Sequence, residues 1–444
     1  MQRVRAVPST AGSVQRPESA KSANAPEPVL PFVPLRGLGP ARRSDRATNG
    51  VEVRPPPGAA ADSRPLSEHV YYAACTLGLE AVLADELRAL RAGRIEARRG
   101  AVAFTGDRAT GYAACLWARS AIRVQEELVR GRVTDRDDLY ALTQTVDWST
   151  SITHLQTIAI DGAVKDSFAN DTRFPVLVVK DAICDQFRVR TGQRPTVERD
   201  RPDLPLKLVL QGDEAILYRE LGGAPLHKRG YREVAHKSPL NEATAAGLLL
   251  LTGWDRQAPL CDPMCGSATF LIEAAWLATD RAPGLGRSFA FERWKDTDLD
   301  AWRKLFDDAE ARAQRGAAKL PRLCGNDRHP GAIAIAKEAL GAAGLSGIPI
   351  AQMDARDYVP PFVPRLVVTN PPYGDRLQPD QDSLADSWGA LGNFLHRQCP
   401  GATAFVLCGN PELTRHLGLR ATQKHPVRNG PIECRWLRYD VDGR

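Results

Sequence analysis

No stretch of this 444-residue sequence is apolar over the roughly 20 residues that a membrane-spanning helix needs. The longest candidate, Ala245–Leu251, is far too short. The N-terminus has scattered arginines but lacks the apolar core of a secretory signal. We therefore expect a cytoplasmic protein with no membrane partner.

Paired cysteines are also missing. The nine cysteines are an odd number, and no two of them have C-x-x-C spacing. Several lie within apolar stretches, among them Cys184, Cys324 and Cys408. This distribution predicts reduced, mostly buried thiols, and it argues against a zinc site. We expect no bound metal.

The net positive charge is small once the N-terminal segment is set aside. The chain has a net charge of +6, but residues 1–66 hold ten Arg and Lys against five Asp and Glu, so the remainder carries only +1. The same segment contains 11 of the 33 prolines and one aromatic residue, Phe32. It has too little apolar surface to offset the entropy of ordering, so we predict a disordered tail over 1–66. Any RNA affinity of the folded part must come from a local patch.

The front half, residues 67–225, shows two α/β patterns. The first has a β-α-β-β-α-β order, typical of a small ferredoxin-like unit, with strands and helices predicted at Tyr71–Thr76, Leu77–Leu90, Arg94–Phe104 and Tyr112–Leu128. The second has predicted elements at Thr157–Ile160, Pro175–Arg190 and Leu206–Glu220.

From Pro239 onward, predicted strands alternate with predicted helices. The predicted elements are Leu240–Leu251, Pro259–Asp262, Ala268–Ala278, Leu323–Asp327, Gly331–Ala343, Ile348–Met353, Leu366–Asn370 and Thr403–Cys408. This alternation indicates an α/β fold with an open, mostly parallel sheet and helices on both faces. Ligands of such sheets bind beyond the carboxyl ends of the strands.

The tetrapeptide Asn370-Pro371-Pro372-Tyr373 follows one of these strands. The Asn370 side-chain carbonyl and the Pro371 backbone carbonyl can accept the two hydrogens of an exocyclic amino group. Tyr373 offers a face on which a base can stack. Taken alone, the motif also fits a proline-stabilised turn with no ligand. With the acids described next, it indicates methylation of an amino group on a planar ring.

Three acids follow successive predicted strands. Asp262 opens the turn Asp262–Thr269, in which Gly266 lets a ligand approach the backbone at a helix N-terminus. Asp327 can bind both hydroxyls of a ribose, and Asp354 can accept a hydrogen bond from an adenine amino group. A dinucleotide site would place the ribose acid about 20 residues after the turn. Here Asp327 lies 65 residues after Asp262, so an insertion over Arg281–Leu320 must intervene and a nicotinamide site is disfavoured. Each acid alone could be a solvated loop residue, whereas together they indicate an S-adenosyl-L-methionine site.

A basic cluster lies where the two halves join. Lys228, Arg229 and Arg232 can bind phosphate, and Tyr231 can stack on a base. The alternative is a solvated interdomain linker. The cluster predicts an RNA contact.

Several separated motifs, in the right order, resemble the guanine-N2 methyltransferases of bacterial large-subunit rRNA, and above all the RlmL type. The similar stretches are Cys75–Leu87, Leu226–Arg232, Asp262–Ala275, Trp276–Leu285 and Asn370–Leu377. The resemblance implies that residues 67–225 comprise a ferredoxin-like and a THUMP RNA-binding region. It implies a class I (Rossmann-like) methyltransferase domain over 235–444. The implied substrate is a guanine of 23S rRNA, of the guanine-2445 type, in protein-free RNA or an assembly intermediate.

The resemblance also implies roles for individual residues. Asp262 and Gly266 would hold the methionine and ribose parts of the cofactor, Asp327 the ribose and Asp354 the adenine. Pro239 and Glu242 would line the methionine end, and Asn370, Pro371 and Tyr373 would clamp the base. Ala268 stands where the family usually has glycine. We expect this position to be helical, which would make the alanine harmless.

Two other functions are also compatible with the sequence. An adenine-N6 or glutamine-N5 methyltransferase, or another amino-group methyltransferase acting on nucleic acid, would use the same Asn-Pro-Pro-Tyr chemistry. The front half argues against the adenine-N6 and glutamine-N5 enzymes, because an RNA-binding module has no obvious use there. An RNA chaperone with a vestigial methyltransferase fold would not need the acids at Asp262, Asp327 and Asp354.

Overall fold

The structure is a computed structural model that describes residues 68–232, 240–374 and 381–442. The predicted tail over 1–66 and Pro239 lie outside the described residues. Among the described helices, none is long and apolar enough to cross a membrane.

The described part of the front half forms one continuous sheet. Its elements are β1 (His69–Cys75), α1 (Glu80–Ala89), β2 (Gly93–Arg98), β3 (Ala101–Gly106), α2 (Arg108–Trp117), β4 (Ala121–Arg132), α3 (Arg136–Gln144), β5 (Thr157–Lys165), α4 (Arg173–Thr191), β6 (Thr196–Val197), β7 (Leu204–Gln211) and β8 (Glu214–Glu220). The strand order is β2-β3-β1-β4-β8-β7-β5-β6. The predicted β-α-β-β-α-β unit is confirmed, and antiparallel pairing of β4 with β8 joins it to the second unit.

The predicted helix over Tyr112–Leu128 is wrong in its second half. Helix α2 ends at Trp117, and Ala121 begins a long strand. The Glu86 carboxylate accepts hydrogen bonds from the backbone N–H groups of Arg119 (2.7 Å) and Ser120 (3.0 Å). These contacts with a distant side chain replace intrahelical bonds, and the apolar spacing of the segment does not reveal them.

The back half contains a second sheet. Its elements are α5 (Glu242–Leu251), β9 (Leu260–Asp262), α6 (Thr269–Ala278), α7 (Leu299–Gly316), β10 (Leu323–Asn326), α8 (Pro330–Ala342), β11 (Ile350–Ala351), β12 (Leu366–Thr369), α9 (Gln381–Gln398), β13 (Thr403–Cys408), β14 (Gln423–Asn429) and β15 (Ile432–Asp440). The strand order is β11-β10-β9-β12-β13-β15-β14. The first five strands in this order are parallel, and β15 runs antiparallel to β13 and β14. The order of strand addition reverses beside β9: β10 and β11 extend the sheet to one side of it, and β12 and β13 extend it to the other. Such a switch point places the ligand-binding crevice beyond the carboxyl end of β9.

The insertion between α6 and β10 packs on the front half. Phe289 and Phe291 stack with ring centroids 5.3 Å apart, and Trp302 of α7 meets both rings edge-on. Tyr112 of α2 stacks on Phe291 with centroids 4.3 Å apart. All four side chains are buried in one apolar cluster with the front-half strands. The two halves therefore share a hydrophobic core.

Candidate active site

The acids predicted from the sequence meet at the carboxyl edge of the second sheet. Asp262, the last residue of β9, is paired in register with Gly325 of β10. Asp327 follows two residues later, and its backbone N–H donates to the Ala351 carbonyl at the end of β11 (3.2 Å). The parallel register thus brings three successive strand ends to one side of the crevice.

Asp327 holds the turn that follows β9. Its Oδ2 accepts from the Gly266 backbone N–H at 2.9 Å, and its Oδ1 accepts from the His329 N–H at 2.9 Å. Gly266 has φ +52°, and a Cβ built there would meet nothing within 4 Å. A side chain at this position would fill open space beside the carboxylate, so the glycine keeps room for a ligand.

Asn326 ties the strand ends together, and the sequence reading did not single it out. It is fully buried, and its Nδ2 donates to the carbonyls of Pro263 (3.1 Å) and Met353 (3.0 Å). Its Oδ1 accepts from the Met353 N–H at 3.1 Å. An amide at the end of an apolar strand is the sequence signal that could have identified it.

Asp354 lies at the same edge but is engaged locally. Its Oδ1 accepts from the backbone N–H and Nε of Arg356, at 3.0 and 2.9 Å. Arg356 also binds Asp386 of α9 at 2.6 Å. The predicted adenine contact would have to use the other carboxylate oxygen.

Asp262 has an unusual electrostatic environment. Burial, together with a smaller contribution from the negative charge of Asp327, raises the pKa of its carboxyl to about 7. Its Oδ1 accepts from the Met264 N–H at 3.2 Å. The site therefore contains a carboxylate that is readily protonated near neutral pH until a cation is placed beside it.

Asn370 directly follows β12, the neighbour of β9 in the sheet. Its side-chain Oδ1 is buried and has no hydrogen-bond partner among the described residues. The indole Nε1 of buried Trp388 donates to the Pro372 carbonyl at 2.8 Å, which fixes the turn between Pro371 and Tyr373. The Tyr373 ring is half-buried, and its hydroxyl accepts from Asn429 at 2.7 Å. The structure thus places a buried, unsatisfied acceptor at the strand end that carries the aromatic ring.

Glu242 is the first residue of α5 and is buried. Its Oε1 pairs with Arg232 at 2.7 Å, whereas its Oε2 is buried with no partner in the described part of the chain. Burial raises the pKa of this carboxyl, and Arg232 opposes the rise.

Three family models match the chain in succession. They are described as the RlmL ferredoxin-like domain (residues 71–125), the THUMP domain (133–220) and the RMKL-like methyltransferase domain (229–438). The chain belongs to the RlmL-type family of THUMP-domain class I methyltransferases. The strand order of its second sheet is that of the class I fold.

The chain is similar to curated proteins and to solved structures. It is 39% identical over 381 residues to the ribosomal RNA large subunit methyltransferase K/L of Syntrophotalea carbinolica, an alignment covering 84% of this chain and 53% of the relative. It thus spans about half the length of the curated relatives it matches. It is 26% identical to the protein SMU.472, whose crystal structure contains SAH, with a TM-score of 0.76 over 85% of this chain and 98% of that one. It is 27% identical to a predicted N6-adenine-specific DNA methylase from Listeria monocytogenes, with a TM-score of 0.75 over 84% and 97% of the two chains.

The departure from the RlmL-type pattern at Ala268 has a backbone consequence. Ala268 lies before the first turn of α6 with φ +60° and ψ 21°, so the expectation that it is helical is wrong. The left-handed conformation costs a residue with a Cβ about 1–2 kcal/mol. Its methyl group is fully buried in the core, and this burial offsets part of the cost.

The RNA contacts predicted for the RlmL-type junction need correction. Arg229 and Tyr231 are buried, so the prediction that they bind RNA is wrong. Arg232 is neutralised by its ion pair with Glu242 and donates to the Leu240 carbonyl at 3.3 Å. Lys228 is exposed, and its RNA contact stays a prediction.

The buried residues of this junction fasten the two halves together. Glu273 of α6 is fully buried, pairs with the Arg229 guanidinium and accepts from the Tyr231 hydroxyl at 2.7 Å. Arg229 also donates to the Arg119 carbonyl at the end of α2. Arg119 in turn donates to the Arg281 carbonyl in the insertion at 2.7 Å. Arg229 and Tyr231, which look solvent-exposed in the sequence, are thus buried where the two halves join. Together with Glu273 we call them the clasp.

Proposed function

We propose that the protein uses S-adenosyl-L-methionine to methylate the exocyclic N2 amino group of a guanine in 23S rRNA. The observation that carries the proposal is the buried Asn370 Oδ1, which lacks a hydrogen-bond partner in the part of the chain that the structure describes. Leaving such an acceptor unsatisfied costs about 1–3 kcal/mol. Folding tolerates this cost where a ligand donor completes the bond, and an amino N–H is such a donor.

The residues at the sheet edge fit the cofactor. Gly266 leaves open space beside the Asp327 carboxylate, which suits a ribose with two hydroxyls. Asp262 is a buried carboxyl that a positively charged methionine moiety would hold in its ionised form. The Glu242 Oε2, which no described residue contacts by a hydrogen bond, is a second acceptor for that end of the cofactor. When bound, S-adenosyl-L-methionine supplies an electrophilic methyl group.

The protein's own contribution is orientation. The guanine N2 lone pair is delocalised into the ring, and positive charge develops on the nitrogen as it attacks the methyl group. Acceptors at Asn370 and Pro371 would hold both N–H bonds and stabilise that charge, while Tyr373 supports the ring. The base must leave its stack to reach them. No covalent nucleophile is required, and buried Cys265 is given no such role.

The front half would deliver the RNA. The THUMP match covers 133–220, and Lys228 is an exposed cation where this half meets the methyltransferase domain. Curated relatives named for large-subunit rRNA support this substrate, and the reaction would take place in the cytoplasm. Among the described residues, no group of His, Cys, Asp and Glu could hold a metal, and the proposed chemistry needs none.

Incubation with methyl-tritiated cofactor and bulk rRNA should label 23S rRNA and not 16S rRNA. The labelled nucleoside should be N2-methylguanosine, and primer extension should map it to one position. Protein-free 23S rRNA and assembly intermediates, assayed side by side, would identify the better substrate. If no rRNA species is labelled, the proposal is contradicted.

A second candidate is an adenine-N6 methyltransferase. A pair of carbonyl acceptors fits any exocyclic amino group, and one structural neighbour is named as a predicted N6-adenine-specific DNA methylase. The nucleoside analysis distinguishes the two, because N6-methyladenosine would replace N2-methylguanosine in the digest.

Cofactor binding should release a proton near pH 7. Burial raises the pKa of Asp262 to about 7, so the carboxyl is partly protonated in the free protein. The cationic cofactor favours the carboxylate, so affinity should increase from pH 6 to pH 8. Because the pKa in the folded state is above the unfolded value, this group's contribution to folding stability is full below about pH 4 and is lost as the pH rises through about 7.

Calorimetric titrations in buffers of different ionisation enthalpy would measure the released protons. Asp262→Asn should abolish the release and weaken binding. A wild-type titration whose enthalpy is independent of the buffer would remove Asp262 from the cofactor site.

A further inference from the structure

The Tyr373 ring is held in place by the end of β14 and by the residue that follows β13. Asn429, the last residue of β14, donates from its Nδ2 to the Tyr373 hydroxyl at 2.7 Å. The ring packs on the backbone of Gly409, where an added Cβ would lie 2.6 Å from a ring carbon. A hydrogen bond at the hydroxyl and a backbone surface along the ring together fix its orientation.

The strand that carries Asn429 also touches the front half. The Arg428 N–H donates to the Leu77 carbonyl at 3.0 Å, and His425 Nε2 lies 2.5 Å from the Gly78 carbonyl oxygen. Gly78 has φ +95°, and a Cβ there would lie 2.2 Å from the Pro426 carbonyl oxygen. The loop before α1 therefore fits against β14 so closely that only glycine is accommodated.

We infer that Asn429 is a positioning residue for the target base, and that the β14–β15 hairpin couples the front half to Tyr373. The inference rests on the proposed function, in which Tyr373 supports the base. Arg428, whose backbone N–H binds the front half, is directly followed by Asn429, whose side chain binds Tyr373. A displacement of the loop at Leu77 and Gly78 is thus passed directly to the ring. The Tyr373 ring would then keep a fixed position relative to the front half, and so relative to any RNA bound there.

A double-mutant cycle tests the role of Asn429. Asn429→Ala and Tyr373→Phe remove the same hydrogen bond from either side, and the second keeps the aromatic ring. Each should lower kcat by about threefold to tenfold, with cofactor affinity and KM for RNA changed by less than about twofold. The double variant should be no slower than Tyr373→Phe alone, because that substitution already removes the bond to Asn429. Multiplying effects, or an unchanged kcat in Asn429→Ala, would overturn the inference.

A glycine pair tests the coupling through the hairpin. Gly78→Ala should lower kcat about as much as Asn429→Ala does. Gly212→Ala is the matched control: it has φ +56° in the front half, but its Cβ would meet nothing within 4 Å, so kcat should stay at the wild-type value. If Gly78→Ala does not fold, His425→Ala takes its place, because it removes one side-chain contact to Gly78 and should also lower kcat. Wild-type kcat in His425→Ala and in any folded Gly78→Ala protein would refute the coupling.

All variants are measured on the nucleic acid that the wild-type protein methylates. Loss of the proposed function appears as an inactive wild-type protein, whereas failure of the inference appears as active variants. The two outcomes are therefore distinguishable.

Discussion

Asn370→Ala is expected to lower kcat for RNA methylation by at least about a hundredfold, the scale seen when one preorganised polar group facing transition-state charge is removed. The Asn370 Oδ1 is buried and has no hydrogen-bond partner within the described residues, so its bond to the base is formed only when substrate is bound. Cofactor affinity should change by less than a few-fold, because the assigned cofactor residues are elsewhere on the edge. Single-turnover kinetics would measure the loss, and calorimetry the cofactor affinity.

A neighbouring asparagine provides the control for this result. Asn410 follows β13, the strand next to β12, and its Oδ1 already accepts from the Glu412 N–H at 3.1 Å. Asn410→Ala therefore removes a local cap, and methylation should stay near the wild-type rate. If Asn370→Ala instead lost cofactor binding while keeping its rate at saturation, the assignment of Asn370 to the base would be wrong.

The strand ends of the active site could be predicted because their signals are local. Short apolar runs ending in Asp262, Asp327 and Asn370 indicate buried parallel strands whose carboxyl ends meet at one edge. The roles assigned to these residues remain predictions, but the structure brings them together as the pattern requires.

What the sequence could not show depends on contacts between distant segments. Arg229 and Tyr231 look like an exposed basic patch until Glu273, some forty residues later, is placed beside them. Helix α2 ends early because Glu86 captures two backbone N–H groups. Asn429 gains its significance only when the hairpin returns to Tyr373. In each case the deciding partner is remote in sequence, and no periodicity records it.

The clasp between the halves should control stability strongly. Arg229→Met is expected to reduce the free energy of unfolding by about 3–5 kcal/mol, because it leaves the Glu273 carboxylate buried without its countercharge. Tyr231→Phe removes only a hydrogen bond to the same carboxylate and should cost about 1.5–3 kcal/mol. Urea-induced unfolding followed by tryptophan fluorescence would measure both changes.

Lys228, the exposed residue next to Arg229, allows RNA binding to be tested without a change in stability. Lys228→Met removes a positive charge from the same segment without uncovering a buried group, so its effect on unfolding should be within about 0.5 kcal/mol. If Lys228 contacts phosphate, that variant should instead weaken RNA binding and reduce its salt dependence. Arg229→Met combined with Glu273→Gln should recover much of the lost stability, because the uncompensated charge is gone. An Arg229→Met protein of wild-type stability but weakened RNA binding would restore the RNA role for Arg229 and remove the clasp.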